Sequence, residues 1–198
     1  MKKYELTDET IEVYGRTLHR IRALKDIGTD VKKGDLGGFV ESEINLSQEG
    51  DCWIYNSAMV YNSAMVYNSA MVCDSAMVYD SAMVYDLAMV YGSAEICGSA
   101  KVYCEAKVYG SAMVCASAEV TKTTDVFSVT PIGSRNDTTT FYKAKGGKIF
   151  VKCGCKNTDI DTWLKMVEET HGDNKHGKAY RLAAQIARLQ ILGEEEKQ

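Results

Sequence analysis

Between Trp53 and Val120 the sequence reads WIYNSAMVYNSAMVYNSAMVCDSAMVYDSAMVYDLAMVYGSAEICGSAKVYCEAKVYGSAMVCASAEV. One six-residue unit returns throughout this stretch: an aliphatic residue, Tyr, then Asn, Asp or Gly, then Ser, Ala and Met. A period of six matches neither the 3.6 residues of a helical turn nor the seven of a coiled coil. It is typical of a solenoid in which each unit makes a short strand and a turn.

Strand alternation gives each unit an inner and an outer side. The alanine and the aliphatic residue are two positions apart, so a strand points both to the same side, which we predict to be the interior. The Tyr and Met positions then point outward. The corner residue after Tyr is mostly Asn, Asp or Gly, which tolerate a left-handed backbone. Cys104 and Ala116 depart from this rule, and we predict mild strain at both.

The segments that flank the repeat are predicted to form different structures. YELTDETIEVYGRTLHRIRAL, at residues 4–24, alternates like two strands around a turn near Gly15. We therefore assign residues 1–38 to an N-terminal β cap, because an open coil end exposes unpaired strand edges. The solenoid is assigned to residues 39–132, since the six-residue period is visible from Val40 and Leu46, with Ile44 at the small-residue position, to Val126 and Ile132.

Residues 133–198 are predicted to be a small α+β domain made of a β-hairpin and two helices. TTTFYKAKGGKIFVKCGC predicts a hairpin that turns at the Gly146–Gly147 pair. TDIDTWLKMVEETHG predicts a helix that Thr158 or Asp159 can cap. AYRLAAQIARLQIL predicts a second helix, and its large apolar residues are expected to face inward: Leu182, Ile186, Leu189 and Leu192.

The repeat resembles the hexapeptide rule of left-handed parallel β-helix proteins, in which an aliphatic residue follows a small one by two positions. The flanking string GDLGGFVESEINLSQEGDCWIY is similar to bacteriophage and prophage β-helix proteins and to YdcK-like bacterial β-helix proteins. This resemblance covers residues 1 to about 120. It implies a mainly β chain with a left-handed parallel β-helix, three units to an 18-residue coil and about four coils, in a phage context.

Coils of 18 residues would stack the outward Tyr and Met residues into three apolar faces. Large apolar patches usually mark a partner, and Tyr and Met are enriched at interfaces. We expect a homo-oligomer, most simply a trimer. Two alternatives stay open: tyrosines that only stack on one another along the sheet, and tyrosines that stack on single-stranded nucleic acid. The candidate interface residues are Tyr55, Met59, Tyr61, Tyr67, Met77, Tyr79, Tyr85, Tyr91, Tyr103 and Tyr109.

Composition and missing residue types exclude several functions. The repeat contains no histidine, whereas the hexapeptide acyltransferases and carbonic anhydrases that it resembles in fold need histidines there. No apolar run approaches the roughly 20 residues of a membrane span, and a net charge of −4 argues against general nucleic-acid binding. The N-terminus MKKYELTDET lacks a signal sequence, so we expect a cytoplasmic protein of the bacterial host cell. Cys73, Cys97 and Cys115 replace the outward Tyr and are expected to be free thiols.

Two groups of residues in the C-terminal segment could carry chemistry, although no cofactor is indicated. A loop of small, hydroxyl-bearing and charged residues could cradle a small anionic ligand with its N–H groups, or it could be an ordinary turn. Its residues are Ser134, Arg135, Asn136, Asp137 and Thr138. The second group has a spacing that is a weak match to a zinc site and is otherwise expected to be buried or free: Cys153, Cys155, His171 and His176.

These observations favour a noncatalytic, oligomeric protein of phage or prophage origin that acts by binding. The resemblance makes an anti-defence role plausible, either by sequestering a nucleotide-type signal or by blocking a host protein. One alternative is a structural component of the virion. The other is an enzyme with a site around Arg135, Asp137, Cys155 and His171.

Overall fold

The computed structural model describes residues 2–193 and opens with a long β-hairpin. Strand β1 (Tyr4–Val13) pairs antiparallel with β2 (Arg16–Ala23), and the turn between them includes Gly15, as predicted. Strand β3 (Leu36–Val40) pairs antiparallel with β2 and also begins the parallel sheet of the solenoid. The hairpin is therefore joined edge to edge with the repeat.

Each six-residue unit of the repeat contributes a two-residue strand that ends on its aliphatic residue, and together these strands form a β-solenoid of about five turns. The fifth turn exceeds the predicted four because Val40 and Leu46 also pair with repeat strands. The strands are β4 (Trp53–Ile54), β5 (Met59–Val60), β6 (Met65–Val66), β7 (Met71–Val72), β8 (Met77–Val78), β9 (Met83–Val84), β10 (Met89–Val90), β11 (Glu95–Ile96), β12 (Lys101–Val102), β13 (Lys107–Val108), β14 (Met113–Val114) and β15 (Glu119–Val120).

Residues 18 apart pair in parallel, so every third strand belongs to the same sheet. We call face 1 the outer surface of β5, β8, β11 and β14, face 2 that of β6, β9, β12 and β15, and face 3 that of β4, β7, β10 and β13. Hydrogen bonds run from coil to coil along each sheet, for example from Met59 N to Ala76 O at 2.9 Å. The backbone groups of these very short strands are thus paired with neighbouring coils.

The interior of the solenoid is built as predicted from alanine and one aliphatic residue per unit. All of these alanines and aliphatic side chains are 0 to 1% exposed. The small alanine lets the chain turn close to the axis, and the branched side chain fills the remaining space, which is how interiors reach crystal-like density. Ile44 is an exception to the predicted pattern. It is exposed, because residues 43–45 form a 3₁₀ turn that buries Asn45 in its place.

The corners adopt the left-handed conformation that their residue types predict, with φ between +54° and +75° at the eleven corners from Asn56 to Ala116. They also form ladders along the axis. Asn62 Nδ2 donates to Asp80 Oδ1 at 3.2 Å, and Asp80 Oδ2 accepts from Gly98 N at 3.1 Å. The same arrangement starts from Asn56 and from Asn68. The order of corner residues along the repeat, Asn then Asp then Gly or Cys, therefore matches these ladders: the Asn amide donates to the Asp carboxylate, which also accepts from the backbone N–H of the Gly or Cys in the following coil.

Beyond Val120 the chain forms a four-stranded antiparallel sheet. Its strands are β16 (Val126–Ile132), β17 (Asp137–Lys143), β18 (Ile149–Cys153) and β19 (Lys156–Asp159), in that order across the sheet. The predicted hairpin is β17 and β18. The assignment of residues 126–132 to the solenoid was wrong, since β16 pairs with β17. Six-residue spacing of Val126 and Ile132 does not require a coil, because their strand alternates as well.

Two helices pack on the outer side of this sheet. Helix α1 (Ile160–His171) is capped by Asp159, whose side chain accepts a hydrogen bond from Thr162 N at 3.0 Å. Helix α2 (Lys175–Leu192) follows after a short turn. The expectation that its leucines face inward was wrong: its buried side is lined instead by alanines, with Tyr180 and Ile191. No helix in residues 2–193 is both long and apolar enough to cross a membrane. The last five residues assigned to this region lie outside the described part.

Candidate functional site: the outer faces of the solenoid

Face 1 is partly covered by the chain itself. The hairpin of β1 and β2 lays Leu18 over the first coil, where Leu18, Phe39 and Tyr61 form a buried cluster. Tyr61 is only 4% exposed, so the expectation that it points into solvent was wrong. Met59 and Tyr79 pack against this cluster and are half-buried. Face 1 therefore offers little free apolar surface at its N-terminal end.

The C-terminal coils of face 1 are joined by a disulfide bond. A disulfide joins Cys97 to Cys115, whose Cα atoms are 4.6 Å apart, so the prediction of free thiols was wrong for this pair. The reason is the stacking period: residues 18 apart lie directly above one another. That separation is visible in the sequence and could have identified the pair. Cys73 has Tyr55 and Tyr91 at the equivalent positions, and it is a free thiol as predicted.

Face 2 carries a continuous tyrosine ladder. The rings of Tyr67 and Tyr85 stack with centroids 4.8 Å apart and planes 4° from parallel, and those of Tyr85 and Tyr103 with centroids 4.9 Å apart and planes 5° from parallel. All three tyrosines are half-buried, as are Met65 and Met83 beside them. Stacking at the coil spacing explains the regular geometry, but it leaves the outer edges of the rings open.

The ladder is an apolar environment for its own phenols. Burial, with the neighbouring phenols of Tyr67 and Tyr103, raises the pKa of Tyr85 to about 12. Burial likewise raises the pKa of Tyr67 and of Tyr103. A phenolate is disfavoured in such a site because its charge would be poorly solvated and close to its neighbours. The ladder therefore presents neutral, amphipathic rings at neutral pH.

Face 3 has a shorter ladder. Trp53 is 1% exposed and packs edge-on against Tyr4, and Cys73 separates Tyr55 from the next tyrosine. Only Tyr91 and Tyr109 stack there, with centroids 5.4 Å apart. Face 2 is thus the longest uninterrupted aromatic surface among the three, and it is our candidate interaction site.

Of the predicted anion-binding residues, 134–136 lie in the connection between β16 and β17, and Asp137 and Thr138 are the first two residues of β17. Residues 134–137 are exposed, and Thr138 is half-buried. Asn136 has a left-handed φ of +51°, and Thr138 N donates to Asp137 Oδ1 at 2.7 Å. The guanidinium of Arg135 lies directly against Gly154. A Cβ atom at residue 154 would be only 2.2 Å from Arg135 Nη2. The five residues are contiguous at one end of the sheet, in the geometry of a hairpin turn.

The cysteines and histidines of the weak zinc prediction are not brought together as a metal site. Within residues 2–193, no three His, Cys, Asp or Glu side chains are placed to hold a metal ion. His171 and His176 have ring centroids 5.9 Å apart, while Cys153 accepts from Thr139 Oγ1 at 3.3 Å and Cys155 is exposed. The prediction of a zinc site has no geometric support in this part of the chain.

One cleft was missed by the sequence reading. It lies under the hairpin tip and has a volume of about 270 Å³. Its lining includes Tyr14, Met77, Tyr79 and Glu95. Arg16 at its rim is engaged by Glu41 at 2.7 Å, so the remaining charge of the lining is acidic. Such a lining does not suit a nucleotide. Its coil residues are related by the 18-residue period, for example Tyr61 and Tyr79, but no sequence pattern predicts that the hairpin adds Tyr14 and Arg16 to them.

Comparison with known proteins gives no closer identification. No protein-family model matches the chain, and no curated protein matches it either. The class of protein is defined by its structure: a β-solenoid of about five turns followed by a small helix-and-sheet region.

Proposed function

We propose that this protein is a noncatalytic, left-handed β-solenoid of phage or prophage origin that acts by binding and assembles through face 2, most simply as a trimer. The observation that carries this proposal is the ladder of Tyr67, Tyr85 and Tyr103 with its flanking methionines. Neutral aromatic rings with open edges, beside flexible thioethers, are the side chains that interfaces favour.

The composition of face 2 along the axis supports an interface of limited extent. Its N-terminal coils place Met65 and Met83 beside the tyrosines, whereas the next two coils place Lys101 beside Glu119. Charged residues thus border the apolar part of face 2 at its C-terminal end, as the polar rim of a protein interface does. The face is also rigid, since every coil is bonded to the next, so little conformational entropy is lost when a second copy binds.

The phage context rests on the resemblance, and it makes the expected target a macromolecule of the bacterial host or a small anionic ligand. For the anion, the exposed turn at residues 134–136 offers the charge of Arg135, whereas the N–H groups of Asn136 and Thr138 already donate to Gly133 O and Asp137 Oδ1. The acidic cleft under the hairpin tip is a poorer match to that chemistry. We place an anti-defence role, by sequestration or by blocking a host protein, within this proposal.

Removal of the aromatic ladder tests the assembly. We expect the variant Tyr67→Thr/Tyr85→Thr/Tyr103→Thr to fold, because these side chains are outward, and to have one third of the wild-type particle mass by light scattering if the wild type is a trimer. Threonine is chosen because it suits a strand. The matched control is Tyr55→Thr/Tyr91→Thr/Tyr109→Thr on face 3, which should keep the wild-type mass. Equal masses for the wild type and the face 2 variant would refute the proposal.

A further inference from the structure

Helix α2 has a stripe of large aliphatic side chains on its solvent-exposed side and mostly small side chains on its buried side. Its large aliphatic residues Leu182, Ile186 and Leu189 are 61%, 51% and 54% exposed, while its buried side is lined by Ala183, Ala184 and Ala187 among others. A helix on the surface of a domain normally turns its largest apolar side chains toward the core. Here three of them form a continuous stripe on the solvent side.

The stripe cannot exchange places with the alanines. The buried side of α2 lies in a cluster with Phe141 and Trp163, and the Trp163 ring is in edge-to-face contact with Phe141 and with Tyr180 of the helix itself at centroid distances of 5.4 and 5.2 Å. Between Tyr180 and Ile191, the large residues of this side, the fully packed cluster is completed by alanines, and larger side chains at the alanine positions would overpack it. The exposure of the leucines is therefore a property of the folded domain and is not relieved by rotating the helix.

The spacing of the stripe is that of a helix-pairing seam. Leu182, Ile186 and Leu189 follow one another at intervals of four and three residues. An alternation of four and three is the a and d pattern with which two helices pack knobs into holes. The seam continues toward the start of the helix through Ala179 and Lys175, of which Ala179 is half-buried and Lys175 exposed.

The charges at the two ends of α2 favour a second, antiparallel copy of α2 as the partner that covers the stripe. The exposed start of α2 carries Lys175 and Lys178, and the sequence continues after Gly193 with three glutamates, residues 194–196. In an antiparallel pair centred between Leu182 and Leu189, Gly193 of one copy comes opposite Lys178 of the other, so the end of α2 that precedes the three glutamates in the sequence lies beside the basic start of the other α2. A parallel pair would instead set lysines beside lysines. The five residues 194–198 are charged or amide residues, so they offer no apolar side chain of their own to the stripe.

We propose that α2 is a two-fold interface at which a second copy of this chain packs antiparallel, leucine stripe against leucine stripe. The interface lies beyond the solenoid and does not depend on face 2. If both interfaces form, face 2 holds the solenoids together in one oligomer, and the two-fold contact of α2 joins two such oligomers.

The test is the particle mass of the full chain by light scattering or sedimentation. The variant Leu182→Gln/Ile186→Gln/Leu189→Gln should have half the wild-type mass, with an unchanged circular dichroism spectrum because the replaced side chains are exposed. The matched control is Leu87→Gln, an exposed leucine at a solenoid corner with 58% exposure, which should keep the wild-type mass. A wild-type mass for the triple variant, or a wild-type mass that is an odd multiple of one chain, overturns the inference.

Charge reversal tests the antiparallel orientation. Lys175→Glu/Lys178→Glu should weaken association by about tenfold at low salt, and adding Glu194→Lys/Glu195→Lys/Glu196→Lys to the same chain should restore it. The lysines lie at the start of α2 and Gly193, after which the glutamates follow in the sequence, lies at its other end, roughly 27 Å away, so rescue requires the other copy. If the second set of changes gives no rescue, the antiparallel pair is excluded. Loss of mass in the face 2 variant alone would instead support the proposed function without this inference.

Discussion

At the scale of single residues, the corners of the solenoid show what the repeat has to satisfy. Every corner needs a left-handed backbone, and Gly92, Gly98 and Gly110 adopt it without a side-chain penalty. Cys104 and Ala116 adopt the same conformation, with φ of +57° and +55°. The predicted strain is therefore present, because a Cβ atom in this region crowds the following carbonyl.

A pair of opposite substitutions measures that strain. Ala116→Gly should raise the free energy of unfolding by about 1 kcal/mol, the size of the penalty for a left-handed residue that is not glycine. Gly110→Ala should lower it by about 1 kcal/mol, since a Cβ there meets no atom within 4 Å and only the backbone strain is added. Urea denaturation gives both values. Changes of the same sign would show that packing, rather than the backbone, controls these corners.

At the scale of elements, the tyrosine ladder makes a pH-dependent contribution. The pKa of Tyr85 is raised to about 12 in the fold, against about 10 for an unfolded tyrosine. The fold thus favours the neutral phenol, and this contribution to stability is complete below pH of about 10 and is lost as the pH rises through about 12. Ultraviolet absorbance of tyrosinate should show the ladder ionising after the tyrosines of the urea-unfolded chain.

Tyr85→Phe is the control for that titration, because it removes the phenol whose pKa is raised to about 12 and keeps the ring in the stack. It should reduce the late-titrating absorbance, while burial should keep the pKa of Tyr67 and of Tyr103 above the ordinary value. A native titration that overlies the unfolded one would contradict the buried, neutral ladder.

The elements also show where sequence reasoning succeeds and where it fails. The repeat could be predicted almost residue by residue, because its interior depends only on alternation within one unit. The position of helix α2 in the sequence was predicted correctly, but the prediction of which side of the helix is buried was wrong. Its sequence contains a leucine stripe and an alanine stripe, and hydrophobicity favours the first. The orientation of the helix is set by its packing against Phe141 and Trp163, which are distant in the sequence and pack against the side that carries the alanines, Tyr180 and Ile191.

The same limit applies to the candidate site. The outward tyrosines were predicted from the repeat alone, but the burial of Tyr61 depends on where the N-terminal hairpin folds. Leu18 reaches it across 43 residues of chain. Contacts of this kind carry no local signal, whereas the Cys97 and Cys115 pair lay within reach of the 18-residue period.

At the scale of the whole molecule, one core runs through the solenoid and is closed at both ends. Tyr4 and Ile21 of the hairpin belong to it at one end, and Tyr142 of β17 belongs to it at the other. Strand alternation places Tyr142 toward the solenoid and Phe141 toward the helices. A stack of coils has only nearest-neighbour contacts, so its stability depends on such end caps.

Tyr142 is therefore expected to couple the two parts of the molecule. It is fully buried, and its hydroxyl donates to Asn157 Oδ1 at 2.6 Å. Tyr142→Ala should lower the free energy of unfolding by about 3–5 kcal/mol through the cavity it leaves, and the last coil should become accessible to hydrogen exchange. Tyr142→Phe keeps the ring and should cost only about 1 kcal/mol. If Tyr142→Ala costs no more than Tyr142→Phe, the sheet does not support the solenoid, and the repeat must be stable with its end open.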